Sequence, residues 1–393
     1  MAYSTGSYKF YLTIIIIMAF EFFAFGQKKC GFEKFEMANL PKTLVLEDRT
    51  KLRIPLVFHI VYRDEKFNFP RAVILEQIQT LNDDFNGKNA QVATLSPEFL
   101  ELLGVFDVEF YLAEVDSSCI AFQGIQRRKT HIIDLGTYRN NAGKRSIFYT
   151  NEGGMDAIIP SKYINIWVAE MESLRGISSG PSMANSLEDG IIIDPRYFGH
   201  HSLNDQLYEW GHTLSHEMGH YFGLNHIWGS LANECVEDDG IEDTPISYGP
   251  NFFCRNRVAT CDRINPMWQN FMDYTQDDCL ALFTAGQVNA MKANLSTLRT
   301  GLLAWGDCSD PILTKLKIFP NPCRDFIVIS LNTRADLTYS LYSISGQRIV
   351  NGSLADGENY ILNMNLLSAG TYILELVDPQ GHLPKITQLV VKI

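Results

Sequence analysis

Three histidines, one glutamate and one glycine fall at fixed offsets in one short stretch: His216, Glu217, His220, Gly223 and His226. On a helix, His216 and His220 are four apart and leave the same face one turn apart. Two neutral imidazoles at that spacing can grip one Zn²⁺, with Glu217 beside them in reach of a water on the metal. Gly223 reaches the left-handed conformation without strain, so the helix is expected to stop there. The chain then reverses and can bring His226 to the metal from the other side. Three nitrogens leave one position open, as in catalytic and not structural zinc. The bland alternative is a histidine pair that only packs an amphipathic helix. The conjunction of these five residues, in a chain with 9 His in 393 residues, argues against it. His212 and His216 are also four apart, but Thr213 follows His212 where the carboxylate should be. His212 is therefore assigned to packing or to the surroundings of the ligands.

The leucine, methionine and aromatics of this stretch predict a buried helix, with Asn204-Asp205 as its N-cap. Residues 54–62 read as a buried strand, and 72–86 as a helix through Val73, Ile74, Ile78, Leu81 and Phe85. Strands follow at 105–113, 163–168 and 189–194, the last just before the histidine helix. Strands alternating with helices predict an α/β domain, a twisted mixed sheet packed against the active-site helix. Glycine and serine in 174–182 mark an exposed rim, whose edge can take an extended peptide as one more strand. Residues 234–243 hold six carboxylates and no base. They are either a solvated charge run or ligands for Ca²⁺. Met272, in a turn next to Tyr274, is either plain core or a hydrophobic floor under the histidines. Asp277 and Asp278 come next, then a last helix at 283–298. From residue 310 the texture changes to strands at 326–331, 339–343 and 372–377. Turns lie at 320–322, Ser345-Gly346 and Ala369-Gly370, and no cluster of catalytic residue types appears. This predicts an all-β sandwich of about 80 residues.

A length of 393 residues, 46% hydrophobic and 20% charged, suits more than one globular domain with a sizeable core. The net charge of −12 argues against nucleic acid or an anionic membrane as partner. Residues 1–26 read as a signal peptide: Lys9, an apolar run over 10–20, and Ala24-Phe25-Gly26 as the cleavage site. Glu21 shortens the run below a comfortable span, although an uncleaved anchor is the alternative. No transmembrane segment is expected in the mature protein. Export would place the eight cysteines in an oxidising compartment. Residues 27–53 lack a clear period and suit a removable pro-segment. In it Cys30 either fills the open metal position as a thiolate or pairs with another cysteine.

Residues 54–300 resemble the pappalysin family of the metzincin clan of zinc metallopeptidases. The likeness includes the first strand, residues 108–113, Gly124 to Arg127, Asn165 to Val168, the histidine motif with Ile227-Trp228-Gly229, the loop from Cys235 to Asp243, Asn270 to Tyr274, and Phe283 to Gln287. It implies His216, His220 and His226 as zinc ligands, Glu217 as base, Met272 as the floor methionine and Tyr274 as its companion. It also implies disulfides Cys235–Cys261 and Cys254–Cys279, calcium near Asp239, Asp243 and Thr244, and a thiol latch at Cys30-Gly31. His212 departs from the family, which often has arginine there. The tail resembles a type IX secretion sorting domain through Pro320 to Pro322, Leu341 to Gly346 and Ala369 to Ile373. That implies a bacterial secretion machinery as partner, passage across the outer membrane, and loss of the tail.

The expected organisation is a signal peptide at 1–26, a pro-segment at 27–53, a catalytic domain at 54–305, a linker at 306–314 and a sorting domain at 315–393. The expected product is a secreted zinc endopeptidase acting on proteins or peptides. Asp277 and Asp278 follow the methionine turn, where the family builds the pocket for the residue after the cut. A carboxylate there favours Arg or Lys; alternatively both aspartates cap the last helix or bind calcium. The rival readings are a catalytically silent metzincin-fold protein that binds at the cell surface, and a hydrolase of small amides.

Overall fold

A computed structural model describes residues 30–31, 52–114, 123–229, 235–254, 260–261, 265–303, 317–377 and 386–393. The expected signal peptide and linker lie outside the described residues, as do Cys119, Cys308 and nearly all of the expected pro-segment. Contacts divide the chain into two compact units, Met1–Leu112 with Ile125–Leu303, and Ala113–Gly124 with Ala304–Ile393. Among the described residues no helix is long and apolar enough to cross a membrane.

The first unit is built on β1 (Leu52–Tyr62), which pairs in parallel with β2 (Val108–Leu112), β3 (Ile125–Lys129) and β4 (Ile164–Val168). β5 (Gly176–Ser178) and β6 (Ile191–Ile193) complete the sheet in the order β2-β1-β4-β6-β5, with β3 beside β1. A strand covered on both faces needs apolar residues on both. Accordingly Ile54, Leu56, Phe58 and Ile60 join one core cluster while Val61 joins a second with Trp167, Ile147 and Met171. β5 alone runs antiparallel, on β6, and leaves its outer side as the sheet edge.

Helix α1 (Arg71–Phe85) and helix α2 (His212–Tyr221) pack on the first face, and α3 (Ala285–Leu298) closes the unit. Every residue of α2 is buried, so its polar side chains must find partners inside. The second strand starts at Val108, later than the expected 105. Asp107 takes a left-handed φ of 57°, and Phe106 turns into the cluster of Phe85, Phe110 and Phe222 instead.

The N-cap expected at Asn204-Asp205 is also corrected. Their side chains accept from His201 and Leu207 N–H within their own turn. Helix α2 begins seven residues after Asp205, behind Gly211 at φ 79°. The Trp210 and His212 N–H groups donate to Asp277 Oδ2 at 2.9 and 3.3 Å, so the cap arrives from 65 residues downstream. At the other end Gly223 takes φ 93°, as expected of a helix terminator. Helix α3 starts behind a capping box of Thr284 and Gln287.

The second unit is a five-stranded antiparallel sheet, β7 (Lys317–Phe319), β8 (Phe326–Ser343), β9 (Arg348–Asn363), β10 (Gly370–Val377) and β11 (Ile386–Lys392). The strands expected at 326–331 and 339–343 are one strand. Register shifts between Ser330 and Leu337 bend it without breaking its pairing to β9. Ile327 and Ile329 before the irregularity share a core with Leu341, Leu374 and Val390 after it.

Candidate metal centre and active site

Helix α2 and the reversal at Gly223 bring three imidazoles together. His220 Nε2 lies 3.1 Å from His216 Nε2 and 3.2 Å from His226 Nε2. The opposite nitrogens are anchored: His216 Nδ1 donates to Phe271 O and His220 Nδ1 to Leu224 O, each at 2.7 Å. A proton fixed on Nδ1 leaves a lone pair on Nε2. Burial holds the rings neutral, pushing His216 down to about 4 and His220 and His226 well below their ordinary value. Converging lone pairs repel unless a cation sits among them, so this donor set fits a zinc ion. Trp228 stacks on His226 at 4.4 Å and holds its plane.

Cys30 joins the group, with one ligand atom from each of the four side chains within 4.8 Å of the others. Beside it, Gly31 N–H donates to Gly176 O at 3.0 Å, on the free edge of β5. A Cβ on Gly31 would lie 2.6 Å from Leu174 Cδ1, so the segment lies hard against that edge.

Glu217 is fully buried, and among the described residues only the Cys30 thiol faces its carboxylate as a donor. Burial pushes its carboxyl up to about 8, against the pull of the Cys30 thiol and Arg175. A Cβ on Gly176 would stand 2.7 Å from Glu217 Cγ, so only glycine leaves the carboxylate its room. Gly176 was not singled out from the sequence. The only signal was a glycine in the rim stretch.

Met272 is fully buried under α2, where a Cβ on Gly219 would meet its sulfur at 2.5 Å. Its turn is tied by Asn270, which accepts from Met272 N–H and exchanges hydrogen bonds with Gln287 of α3. The Tyr274 ring lies 4.9 Å from His226 and 5.8 Å from His216. Asp273 holds that turn by accepting from Tyr274 N–H and from the Asn251 backbone and amide.

A small cavity of ≈ 20 Å³ opens beside Glu217 and is lined by Arg175, Tyr208, His212, Tyr274, Asp277 and Leu280 among others. Asp277 faces it: Oδ2 is spent on the start of α2 and Oδ1 has no partner. Asp278 is exposed and accepts from Trp210 Nε1. Asp277 thus caps the histidine helix while Asp278 holds the Trp210 indole, and the last helix is capped by Thr284 instead. Arg175, 7% exposed, was also missed by sequence reasoning; it is a lone arginine in a glycine- and serine-rich rim.

The acidic loop brings only part of its expected set together. Asp239 accepts from Thr244 Oγ1 at 2.7 Å and keeps Oδ2 open, while Asp243 accepts from Thr284 Oγ1 and Gly286 N–H at the start of α3. Disulfides Cys235–Cys261 and Cys254–Cys279 staple the loops around it.

The peptidase family described as pregnancy-associated plasma protein-A matches residues 154–296, and a secretion system C-terminal sorting domain matches 317–392. An extracellular metalloprotease of Arthroderma otae is 34% identical over 196 residues, covering 47% of this chain and 67% of that one. Another from Arthroderma benhamiae is 23% identical over 252 residues, covering 62% and 72%. Mature mirolysin of Tannerella forsythia, solved with a cleaved peptide, superposes with a TM-score of 0.61 at 32% identity, covering 65% of this chain and 97% of that one. A promirolysin variant from the same organism gives 0.62 at 29%, covering 70% and 97%.

His212 carries a measurable consequence of its surroundings. Its Nδ1 lies 2.7 Å from Asp84 Oδ2, which also accepts from Ser215 Oγ. Burial pushes the imidazolium down, but Asp84 outweighs it and raises His212 from 6.5 to about 9. A raised pKa means stability that is full below about pH 6.5 and lost as pH climbs through about 9. His212→Gln should destabilise the fold by about 3 kcal/mol or more, as breaking a buried pair does. The gap in urea midpoint between wild type and variant should narrow from pH 6.5 to 9. A gap that stays constant across that window would rule out the charged pair.

Proposed function

The chain belongs to the pappalysin family of zinc metallopeptidases and is a secreted metalloendopeptidase, and we propose that His216, His220 and His226 are its zinc ligands and Glu217 its general base. The observation that carries this reading is the convergence of three neutral Nε2 atoms at 3.1 and 3.2 Å beside a fully buried carboxylate. Zn²⁺ held there supplies a Lewis acid that polarises the scissile carbonyl and acidifies water.

Glu217 takes the proton from the attacking water and passes it to the leaving amine. The Tyr274 hydroxyl donates to the oxygen on which negative charge develops. Met272 supports α2 from beneath as the floor methionine. An extended substrate adds to the free edge of β5, and the Gly31 to Gly176 hydrogen bond supports this by using that edge already. Cys30 is the latch: its thiolate takes the open metal position until the pro-segment is removed.

Asp277 Oδ1, open to the cavity, supports a preference for Arg or Lys just after the cut. Asp239 Oδ2 supports a calcium ion in the acidic loop, with Thr244 and Asp243 alongside. The sorting domain engages a bacterial secretion machinery that carries the protein over the outer membrane. A catalytically silent surface-binding protein is the rival, and the buried Glu217 argues against it.

Glu217→Ala should lower casein turnover by about 10²–10⁴-fold while the protein still carries zinc; near wild-type turnover in a zinc-loaded variant would refute the mechanism. The unprocessed Cys30→Ala chain should cleave casein where the unprocessed wild type does not, and equal rates would discard the latch. New N-termini from a proteome digest should be enriched in Arg and Lys; enrichment in apolar residues would overturn the basic preference.

A further inference from the structure

The cavity beside Glu217 has two opposite charges on its walls, and both have unspent hydrogen-bonding capacity. The Arg175 guanidinium lies over the Tyr208 ring, 3.7 Å from its centroid, and its Nε and Nη2 are buried without a partner. That edge is the one by which arginine grips a carboxylate side-on. Elsewhere in this unit Arg63 uses Nε and Nη2 on Glu170 at 3.2 and 3.5 Å, and Arg196 uses them on Asp194 at 2.8 and 2.5 Å. Asp277, also buried, offers Oδ1. Buried polar atoms of charged groups are costly when left unspent, so Arg175 Nε and Nη2 and Asp277 Oδ1 lining one cavity point to a ligand that completes them.

The placement of Arg175 says which ligand. It immediately precedes Gly176, the residue packed against the Glu217 side chain, and it lines the same cavity as Glu217, Tyr274 and Asp277. Burial raises the Asp277 carboxyl to about 6 and Arg175 opposes this only in part, so the two lie within electrostatic reach.

We infer that Arg175 is a second specificity-determining residue of this pocket, set against Asp277, and that it admits an acidic side chain after the cut which Asp277 alone would reject. The inference rests on reading the cavity as the pocket for the residue after the cut. A basic side chain donates to Asp277 Oδ1 and stands against Arg175. An acidic one accepts from Arg175 Nε and Nη2 and stands against Asp277. Arg and Lys remain the first class, with Glu and Asp as a second that a purely acidic pocket would exclude.

The test uses blocked peptides identical except for Arg, Lys or Glu after the cut, with the processed zinc enzyme as wild type, Arg175→Leu, Arg175→Lys and Asp277→Asn. The ratio of kcat/KM for the Glu peptide to that for the Arg peptide cancels the folded fraction of each preparation, so a merely structural role would not move it. Arg175→Leu should lower that ratio at least tenfold, Arg175→Lys should lower it less because charge survives but the fork does not, and Asp277→Asn should raise it at least tenfold. Calorimetric binding of the same peptides to Glu217→Ala, alone and combined with each change, should follow the same order without turnover. A ratio in Arg175→Leu within twofold of wild type, or higher, overturns the inference. If Asp277→Asn still shifts the ratio, the basic preference survives that failure. If no peptide is cut or bound by wild type, the peptidase reading itself falls.

Discussion

Three unprotonated imidazole nitrogens held about 3 Å apart in a dry interior are a repulsive arrangement that only a cation makes favourable. Each nitrogen has been placed by spending its partner elsewhere: Phe271 O takes the Nδ1 proton of His216, and Leu224 O that of His220. The first carbonyl belongs to the turn that carries Met272 and the second to the reversal after Gly223. The donor cluster is therefore a property of three chain segments at once. A shift of the methionine turn would rotate His216, and a side chain at Gly219 would push that turn away through the Met272 sulfur. Zinc binding and folding are linked in such a site, because the donors converge only when those segments are in place.

The segments are held by buried polar side chains that reach between elements. Gln77 on α1 donates to Gly211 O and accepts from Gly199 N–H, fixing the approach to α2. Asp84, two turns further along α1, takes His212 and Ser215. At the far end Arg299 donates to Asp189 beside β6, to Gly180 O beyond β5 and to Tyr221 O at the end of α2. These bonds tie the helix to the rim across which substrate would lie. Left unpaired, any of them would expose a buried charge or amide to an apolar interior, so they specify geometry through the cost of alternatives.

The parts legible in the sequence were those that depend on period or on special backbone. The α2 spacing, the stop at Gly223 and the strands of the sheet follow from local rules, as does the change of texture after residue 310. The errors fall where a distant residue does a local job. Asn204-Asp205 has the right chemistry for an N-cap, yet Asp277 takes the role from across the fold. Arg175 and Gly176 escaped notice because neither residue type is unusual in a rim loop; what distinguishes them is the proximity of Glu217 and Asp277, which a one-dimensional pattern does not contain.

The edge of β5 is where latency and substrate recognition meet. A free strand edge offers backbone donors and acceptors to any extended chain, with no preference for which. Gly31 uses one of those acceptors, Gly176 O, while Cys30 places its thiol among the imidazoles. On the proposed reading, residues 30–31 use the backbone contacts that an extended substrate would use, and the thiol adds what a substrate lacks. Glycine at 31 suits this, since a side chain there would strike Leu174 and Ile177 and lift the segment from the edge. Glycine at 176 suits it from the other side, leaving Glu217 undisturbed whichever chain occupies the track.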